Sequence, residues 1–249
     1  MIGSVVIELK ETISTNIYLS ELINKIELQE GTVISALKQI GGRGHGANKW
    51  ESESGKNLTF SIILSPFFLP IEKQFLLNEV VSLGVYDFTK QILIKHENDI
   101  KIKWPNDIYI GEKKVCGILI ENYITEKTFK HAIIGIGVNI NQEKFISDAP
   151  NPISFKNISN KEYDLKNCLS ILCICIEKRY NQLIDYQYQE ITNDYHSALY
   201  RLNEKSEFYY MNKKIYATIK GITEYGKLIL ENEYSQIIKC DFNEIKIIK

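Results

Sequence analysis

The sequence predicts an α+β protein with a mixed, largely antiparallel sheet flanked by helices, followed by a small C-terminal β-barrel. Four strand-like segments follow one another between residues 100 and 138 with only short turns between them, which favours an antiparallel meander. Segments with apolar residues at helical spacing lie before and after this meander. Beyond residue 203 the chain consists of short strand-like segments, as in a small barrel. We therefore divide it into a main domain, residues 1–202, and a small domain, residues 203–249.

Composition excludes several classes of protein. The chain has 249 residues, 44% of them hydrophobic, which is enough for one large core and a satellite domain. No apolar run approaches the roughly 18 residues of a transmembrane helix, and no signal-peptide pattern follows Met1. The net charge of −1 argues against a broad nucleic-acid surface. Five cysteines without C-x-x-C spacing indicate reduced thiols, so we expect a cytoplasmic protein that binds neither nucleic acid nor membrane.

The main domain begins with alternating helix and strand patterns. The triplet Ser14-Thr15-Asn16 precedes apolar residues spaced three or four apart, which predicts a helix that starts with hydroxyl and amide groups. Alternating apolar residues from 58 to 64 predict a strand, and the spacing of Leu76, Val80 and Leu83 predicts a helix over the sheet. The meander is expected to comprise strands over 100–104, 108–110, 115–121 and 131–138.

The second half of the chain changes pattern twice. Residues 141–160 lose periodicity and contain Pro150 and Pro152, which predicts a long loop of the kind that forms functional lids. Helical spacing then resumes from Leu169 to Leu183. The small domain is expected to have strands over 207–210, 215–222, 227–231, 236–240 and 244–248.

A glycine-rich stretch is the first candidate for function. Glycines at four of the six positions 41–46 allow close backbone approach to a ligand, and Arg43 offers a planar fork for carboxylate or phosphate. The stretch does not match G-x-x-x-x-G-K-[ST], and no Rossmann unit precedes it. Alone it would be a plain surface loop. Trp50 could stack on a base or anchor the loop against the core.

A second stretch, Lys103-Trp104-Pro105-Asn106-Asp107, interrupts the meander. Pro105 cannot donate to a ladder, so we expect a kink that exposes Asn106 and Asp107. An isolated Asn-Asp pair more often caps a turn, and Lys114 alone would be a solvated turn charge. Glycine loop, fixed cations and aromatic faces occurring together instead favour a nucleotide site.

In this order the motifs resemble those of the biotin–protein ligases, which adenylate biotin and transfer it to a carrier-protein lysine. The resemblance covers nearly the whole chain and implies a class II synthetase-like catalytic domain with an SH3-like barrel. The matching pieces are Ser14-Thr15-Asn16, Gln39 with Gly42-Arg43-Gly44, Trp50, Lys103-Trp104-Pro105-Asn106-Asp107, Lys114-Val115-Cys116-Gly117-Ile118-Leu119 and Gly135-Ile136-Gly137-Val138-Asn139.

The resemblance implies two groups of binding residues. Those expected to bind biotin are Ser14, Thr15, Asn16, Gln39, Gly42, Arg43, Gly44, His45, Lys114 and Gly117. Those expected to bind ATP or the adenylate are Arg43, Trp50, Lys103, Asn106, Asp107, Lys114 and Asn139. Lys114 and Arg43 are the expected catalytic residues, and Asp107 is expected to hold Mg²⁺.

The resemblance also implies a mechanism and a partner. The biotin carboxylate attacks the α-phosphorus of ATP, pyrophosphate leaves, and a lysine of a biotin carboxyl carrier protein attacks the mixed anhydride. Loops 41–50 and 141–160 are the expected lids. The carrier is expected to belong to acetyl-CoA carboxylase or a related carboxylase, and a homodimer is allowed.

The chain departs from the family pattern in two ways. His45 and Asn48 replace family cations, which suggests weaker loop closure and leakage of the adenylate. No helix-turn-helix domain precedes Ser14, so DNA-binding repression is not expected. Two alternatives stay open: a lipoate or octanoate ligase or transferase, and a noncatalytic regulator that binds biotin or nucleotide.

Overall fold

The main domain is built on a seven-stranded sheet. The computed structural model describes residues 1–44, 46, 48–126, 128–147 and 151–248. The strands are β1 (Val6–Thr12), β2 (Val33–Gln39), β3 (Leu58–Leu64), β4 (Ile100–Lys103), β5 (Asp107–Ile110), β6 (Lys113–Thr125) and β7 (Thr128–Val138). Their order is β1-β2-β3-β7-β6-β5-β4, with β1 and β2 parallel and the other neighbours antiparallel. This confirms a mixed, largely antiparallel sheet.

One face of this sheet carries the main core. The helices are α1 (Thr15–Leu22), α2 (Phe75–Ile92), α3 (Phe155–Ser159), α4 (Leu165–Ile184) and α5 (Tyr188–Ser197). Residues 58, 60, 62 and 64 of β3 share the main buried cluster with residues of α2 and α4, because alternate residues of a strand point to the same side. A Cβ at Gly84 would lie 2.7 Å from the Ile176 Cα atom, so this glycine permits the close approach of α2 and α4.

The opposite face is much less apolar. A small cluster formed by Leu19, Ile34, Ile63 and Ile133 seats α1 on it. Beside this cluster, β3 and β7 direct Thr59, Ser61, Gly135 and Gly137 to the same face. Because these side chains are small or missing, the sheet leaves room beside the start of α1.

The small domain is a five-stranded antiparallel sheet. Its strands are β8 (Lys205–Tyr210), β9 (Lys213–Ile222), β10 (Leu228–Asn232), β11 (Ile237–Cys240) and β12 (Ile245–Ile247). Their order is β11-β10-β9-β8-β12, and no ladder joins β11 to β12 within the described residues, so the expected closed barrel is not found. Ile219 and Leu230 belong to the same buried cluster as Phe60, which means that both sheets share one core. The boundary at residue 203 stays a prediction.

The predicted long loop over residues 141–160 is wrong in its second half. Ser154 and Asn157 form a reciprocal capping box that starts the one-turn helix α3, and Phe155 is fully buried. Asn141 and Gln142 are also buried, at 5% and 2% exposure. Residues 148–150 lie outside the described part of the chain. A helix this short has too few apolar positions to reveal periodicity, so only its capping pair could have predicted it.

Within the ranges that the structure describes, no helix is both long and apolar enough to cross a bilayer.

Glu79 predicts a pH-dependent stability. Its carboxyl group is buried between α2 and α5, where burial raises its pKa from 4.5 to about 7 although it accepts a hydrogen bond from Thr192. The folded state therefore retains a proton that the unfolded state releases, and stability falls as pH rises from about 4.5 to about 7. We expect Glu79→Gln to be more stable than the wild type at pH 8 by on the order of 2 kcal/mol, because an amide avoids the burial of charge.

Urea unfolding at pH 5 and pH 8 tests this expectation. The exposed Glu72 is the matched control, because Glu72→Gln removes the same charge without relieving burial. Equal pH dependence in wild type and Glu79→Gln would contradict the assignment.

Candidate functional site

Glycines form the floor of the candidate site. Gly117 of β6 pairs with Gly137 of β7, and Gly135, two residues before Gly137 on β7, lies on the same face of the sheet. A Cβ at Gly137 would lie 2.4 Å from Cε2 of Trp50, and a Cβ at Gly135 would lie 2.3 Å from Oδ1 of Asn16. The missing side chains thus make the space that Trp50 and Asn16 occupy.

The predicted glycine loop folds back on itself as a narrow hairpin. The backbone N–H of Gly44 donates to Asn48 and that of Trp50 donates to Gly42, at 2.8 and 2.9 Å. A Cβ at Gly42 would lie 2.5 Å from the carbonyl oxygen of Trp50, so only glycine permits this closure. Arg43 pairs with Lys49 across the hairpin. His45 lies outside the described residues.

Trp50 lies between the hairpin and the glycine floor. Its ring lies so close to Gly117 and Gly137 that a Cβ added at either glycine would lie 3.0 Å or less from a ring atom. The Lys114 ammonium lies 5.8 Å from the ring centroid. The indole Nε1 is buried and has no hydrogen-bond partner among the described residues. A buried donor without a partner costs about 1 to 3 kcal/mol, which marks a place where a ligand acceptor would be favourable.

Lys114 and Asp107 form the ion pair of the site. Nζ of Lys114 lies 2.7 Å from Oδ2 of Asp107, and the two side chains are about a quarter exposed, at 24% and 26%. The backbone of Lys114 is fixed by bonds with Asn151 and Ile153, so the lysine is not on a free turn. A register shift between β5 and β6 lies at this point of the ladder.

Asn139 extends the same face beyond the end of β7. It is 2% exposed, and its Nδ2 donates to the carbonyl of Ile153 at 3.1 Å. Its Oδ1 is buried without a hydrogen-bond partner in the described part of the chain. Because Asn139 follows Gly137 by two residues, alternation puts its side chain on the same side of the sheet as the glycine floor.

A cluster of polar side chains, here called the polar group, lies at the start of α1 and consists of Thr15, Asn16, Gln39 and Ser61. Gln39 accepts hydrogen bonds from the N–H of Thr15 at 2.7 Å and from its hydroxyl at 3.2 Å. The hydroxyl of Ser61 lies 2.7 Å from that of Thr15 and 2.6 Å from Oδ1 of Asn16. Ser14 occupies the N-cap position but its side chain makes no capping bond. Gln39 therefore satisfies the amide of the first helical residue, which an N-cap side chain does not usually reach.

Glu121 joins this polar group to the hairpin. It accepts a hydrogen bond from Nδ2 of Asn16 at 2.7 Å and pairs with Arg43 at 3.5 Å. Sequence reasoning missed both Glu121 and Ser61. The strand alternation could have found them, because Glu121 shares the face of Gly117 and Ser61 pairs with Gly135.

The turn between β4 and β5 is braced from several sides. Nδ2 of Asn106 donates to the carbonyl of Ile118 at 3.0 Å. Asn106 and Asp107 are half-buried, so their predicted exposure is wrong. Lys103 pairs with Asp107 in the β4–β5 ladder, so both side chains lie on the same face of the sheet. Nζ of Lys103 donates to the hydroxyl of Tyr109 at 3.2 Å.

Trp104 of this turn contacts the small domain instead of the glycine floor. Its Nε1 donates to the carbonyl of Gly226 at 2.9 Å, and its ring lies 5.8 Å from that of Phe242. The turn that carries Asp107 is thereby attached to the C-terminal sheet. No grouping of three or more potential metal ligands among His, Cys, Asp and Glu occurs within the described ranges.

The site residues thus come together around Trp50. Arg43 lies in the hairpin that closes on Trp50, and Lys114 lies beside its ring. Arg43 and Lys114 therefore share one region of the surface, with the glycine floor below them. On one side lies the polar group at α1, and on the other lie Asp107 and Asn139. This arrangement can hold a polar ring, an anionic centre and an aromatic base in a row.

Comparison with known proteins gives the family. Residues 8–139 match the model of the Biotin/lipoate A/B protein ligase family. The chain is 31% identical over 209 residues to the bifunctional ligase/repressor BirA of Bacillus spizizenii, covering 82% of this chain and 62% of that protein. It is 26% identical over 201 residues to the biotin--[acetyl-CoA-carboxylase] ligase of Paracoccus denitrificans, covering 79% and 82%. The chain spans about 62% of the length of the Bacillus relatives it matches.

Solved structures support the same relationship. The biotin protein ligase from Aquifex aeolicus in complex with biotin and ATP superposes with a TM-score of 0.80, at 27% identity over 99% of each chain. The biotin protein ligase from Leishmania major in complex with biotin has a TM-score of 0.61 at 17% identity, covering 96% of this chain and 99% of that one. The second likeness concerns the fold alone.

Proposed function

Because the chain belongs to the Biotin/lipoate A/B protein ligase family, we propose that it is an ATP-dependent biotin–protein ligase. It activates biotin to biotinyl-5'-AMP and transfers biotin to a lysine of a biotin carboxyl carrier protein. The observation that carries the proposal is the position of Lys114: its ammonium lies beside Trp50 and 2.7 Å from Asp107. A cation is needed there because two anions, a carboxylate and a triphosphate, must meet.

The polar group at α1 suits the ureido ring of biotin. With its Oε1 held by Thr15, Gln39 presents its amide N–H groups as donors for the ureido carbonyl. Asn16 gives its amide hydrogens to Glu121 and Leu119, whereas its Oδ1 accepts, among the residues that the structure describes, from Ser61 alone. The second lone pair of that oxygen can accept a ureido N–H. Buried polar groups of a ligand need such fixed partners.

The other half of the site suits adenine. Trp50 offers an aromatic face, and the unpartnered Oδ1 of Asn139 can accept from the exocyclic amine of the base. Satisfying this buried acceptor removes a cost of about 1 to 3 kcal/mol that the ligand-free protein bears. Both observations favour a nucleotide that lies over the glycine floor.

The chemistry follows from this placement of anions. The carboxylate oxygen of biotin attacks the α-phosphorus of ATP, the bond to the bridging oxygen breaks, and pyrophosphate leaves. Lys114 and Arg43 neutralise the charge that accumulates at the α-phosphate. The amine of the acceptor lysine then attacks the acyl carbonyl of biotinyl-5'-AMP, loses a proton and displaces AMP.

Mg²⁺ has one protein ligand in this proposal. Asp107 is the residue that would hold it, and a single carboxylate suits an ion that keeps waters and phosphate oxygens as its other ligands. When bound, Mg²⁺ offsets the charge of the triphosphate. Because Asp107 pairs with Lys114, its carboxylate already lies where the phosphates are expected.

Biotin is favoured over lipoate by the buried polar group. Thr15, Asn16 and Ser61 are all buried, and a saturated acyl chain would leave the donors and acceptors around them unmatched. A carboxylase carrier, a homodimer and a cytoplasmic location stay predictions from the family resemblance.

A single assay tests the proposed function. The purified chain is incubated with ATP, Mg²⁺, biotin and a biotin carboxyl carrier domain, and the intact mass of the carrier is measured. We expect the mass of one biotinyl group on one lysine, and no product when lipoate replaces biotin. Binding of biotin without carrier modification or pyrophosphate exchange would instead support a noncatalytic regulator, and modification by lipoate would support the lipoate ligase.

A further inference from the structure

Glu51 follows Trp50 directly and binds a separate segment of the chain. Its Oε1 accepts hydrogen bonds from the N–H of Ile146 at 2.9 Å and from the amide of Gln142 at 3.1 Å. Its Oε2 accepts from the N–H of Ser147 at 2.8 Å. Burial alone would raise the pKa of Glu51, but the hydrogen bonds from Ser147, Ile146 and Gln142 hold it below its usual value. The contact between Glu51 and residues 142–147, here called the clamp, therefore uses an ionised carboxylate.

The other end of this contact is anchored in the sheet. Gln142 is 2% exposed, and its Oε1 accepts from Nδ2 of Asn57 at 2.6 Å and from the N–H of Glu53 at 2.9 Å. Asn57 in turn accepts from the N–H of Ile140 at 2.9 Å. Glu51 is thus the outer link of a hydrogen-bond chain that begins beside β3.

Among residues 142–147 only Phe145 has a half-buried apolar side chain. The side chain of Ile146 is 91% exposed, so it buries almost nothing against the body of the protein. Two consecutive backbone N–H groups are instead satisfied by one carboxylate. Such charge-assisted hydrogen bonds are stronger than neutral ones, so the Glu51 carboxylate holds the end of this segment, while the ion pair of Glu143 with Lys156 at 2.7 Å holds its beginning.

Trp50 is held on both sides by this arrangement. The backbone N–H of Trp50 donates to the carbonyl of Gly42 in the hairpin, and the residue after Trp50 is Glu51 of the clamp. We propose that Glu51 is a positioning residue, which attaches residues 142–147 to the loop that carries Trp50 and so keeps the aromatic platform in place for the nucleotide. The attachment of residues 142–147 does not depend on the proposed function; only its effect on catalysis rests on it.

The variant Glu51→Gln tests the proposal. It keeps the size of the side chain, but its amide group directs hydrogens at one of the backbone N–H donors that the carboxylate binds. We expect the KM for ATP in biotin-dependent pyrophosphate exchange to rise about tenfold while kcat changes little, because binding geometry and not a reacting group is lost. Hydrogen exchange at the amides of Ile146 and Ser147 is expected to become faster.

Glu53→Gln is the matched control, because it removes the same charge two residues later from an exposed side chain. It is expected to behave as the wild type in both measurements. Unchanged exchange at Ile146 and Ser147 in Glu51→Gln would overturn the clamp, and faster exchange with an unchanged KM would overturn its role in placing Trp50. Since exchange needs no activity, the clamp can be judged even if the wild type fails to biotinylate a carrier.

Discussion

Replacing Lys114 with alanine is expected to slow biotinyl-adenylate formation by about 100- to 1000-fold, the usual loss for one electrostatic donor in a dry site. The loss has two sources. The charge that meets the α-phosphate is removed, and Asp107 loses the partner that lies 2.7 Å away. Biotin-dependent pyrophosphate exchange measures the effect directly, before any transfer to a carrier.

Lys113 provides the matched control for this prediction. It precedes Lys114 on β6 but is exposed, so Lys113→Ala changes the net charge equally without reaching the site. We expect wild-type exchange in that variant. A Lys114→Ala protein that modified the carrier at the normal rate would remove Lys114 from the mechanism.

Replacing Gly137 with alanine is expected to raise the KM for ATP by about 100-fold while the protein remains folded, because it displaces the Trp50 ring and stacking of a base on an aromatic ring is typically worth about 1 to 3 kcal/mol. The new Cβ would lie 2.4 Å from Cε2 of Trp50, a distance that forces the ring to move. Gly117→Ala is the graded comparison, since its Cβ would lie 3.0 Å from Cζ3 of Trp50. We expect a smaller increase there.

A double substitution shows whether the effect passes through the ring. In a Trp50→Ala background, adding Gly137→Ala should produce no further change in KM, because nothing remains for the methyl group to displace. Circular dichroism and thermal unfolding check that each variant is folded. An equal penalty with and without the Trp50 ring would mean that the glycine floor does not act by seating Trp50.

Much of the secondary structure could be predicted from local patterns. The strands of the meander and of the small domain were located within a few residues, because alternation of apolar side chains is a property of each strand alone. The bounds of β6 and β7 were underestimated at the hairpin, where both strands extend beyond the core and lose their apolar pattern. The single-turn helix α3 was missed for a related reason, since five residues are too few to show a period.

The candidate site was only partly predictable. The motif residues Arg43, Trp50, Lys114 and Asp107 were identified from the sequence and do lie together in the fold. Glu121 and Glu51 lie next to motif residues but outside the motifs, and the sequence does not reveal their roles because their partners are distant along the chain. Trp104 was grouped with the nucleotide motif, yet its indole binds the small domain.

The amino-acid sequence is sufficient to predict the kind of chemistry available: the glycines, cations and aromatic rings, and the strand and helix patterns that carry them. Those depend on residue type and on local spacing, which a single segment contains. The three-dimensional fold determines which groups meet, such as Lys114 with Asp107 and Glu51 with residues 142–147. It also decided that the C-terminal sheet stays open within the described residues. Contacts of this kind depend on strand order and register, which arise from packing across the whole chain.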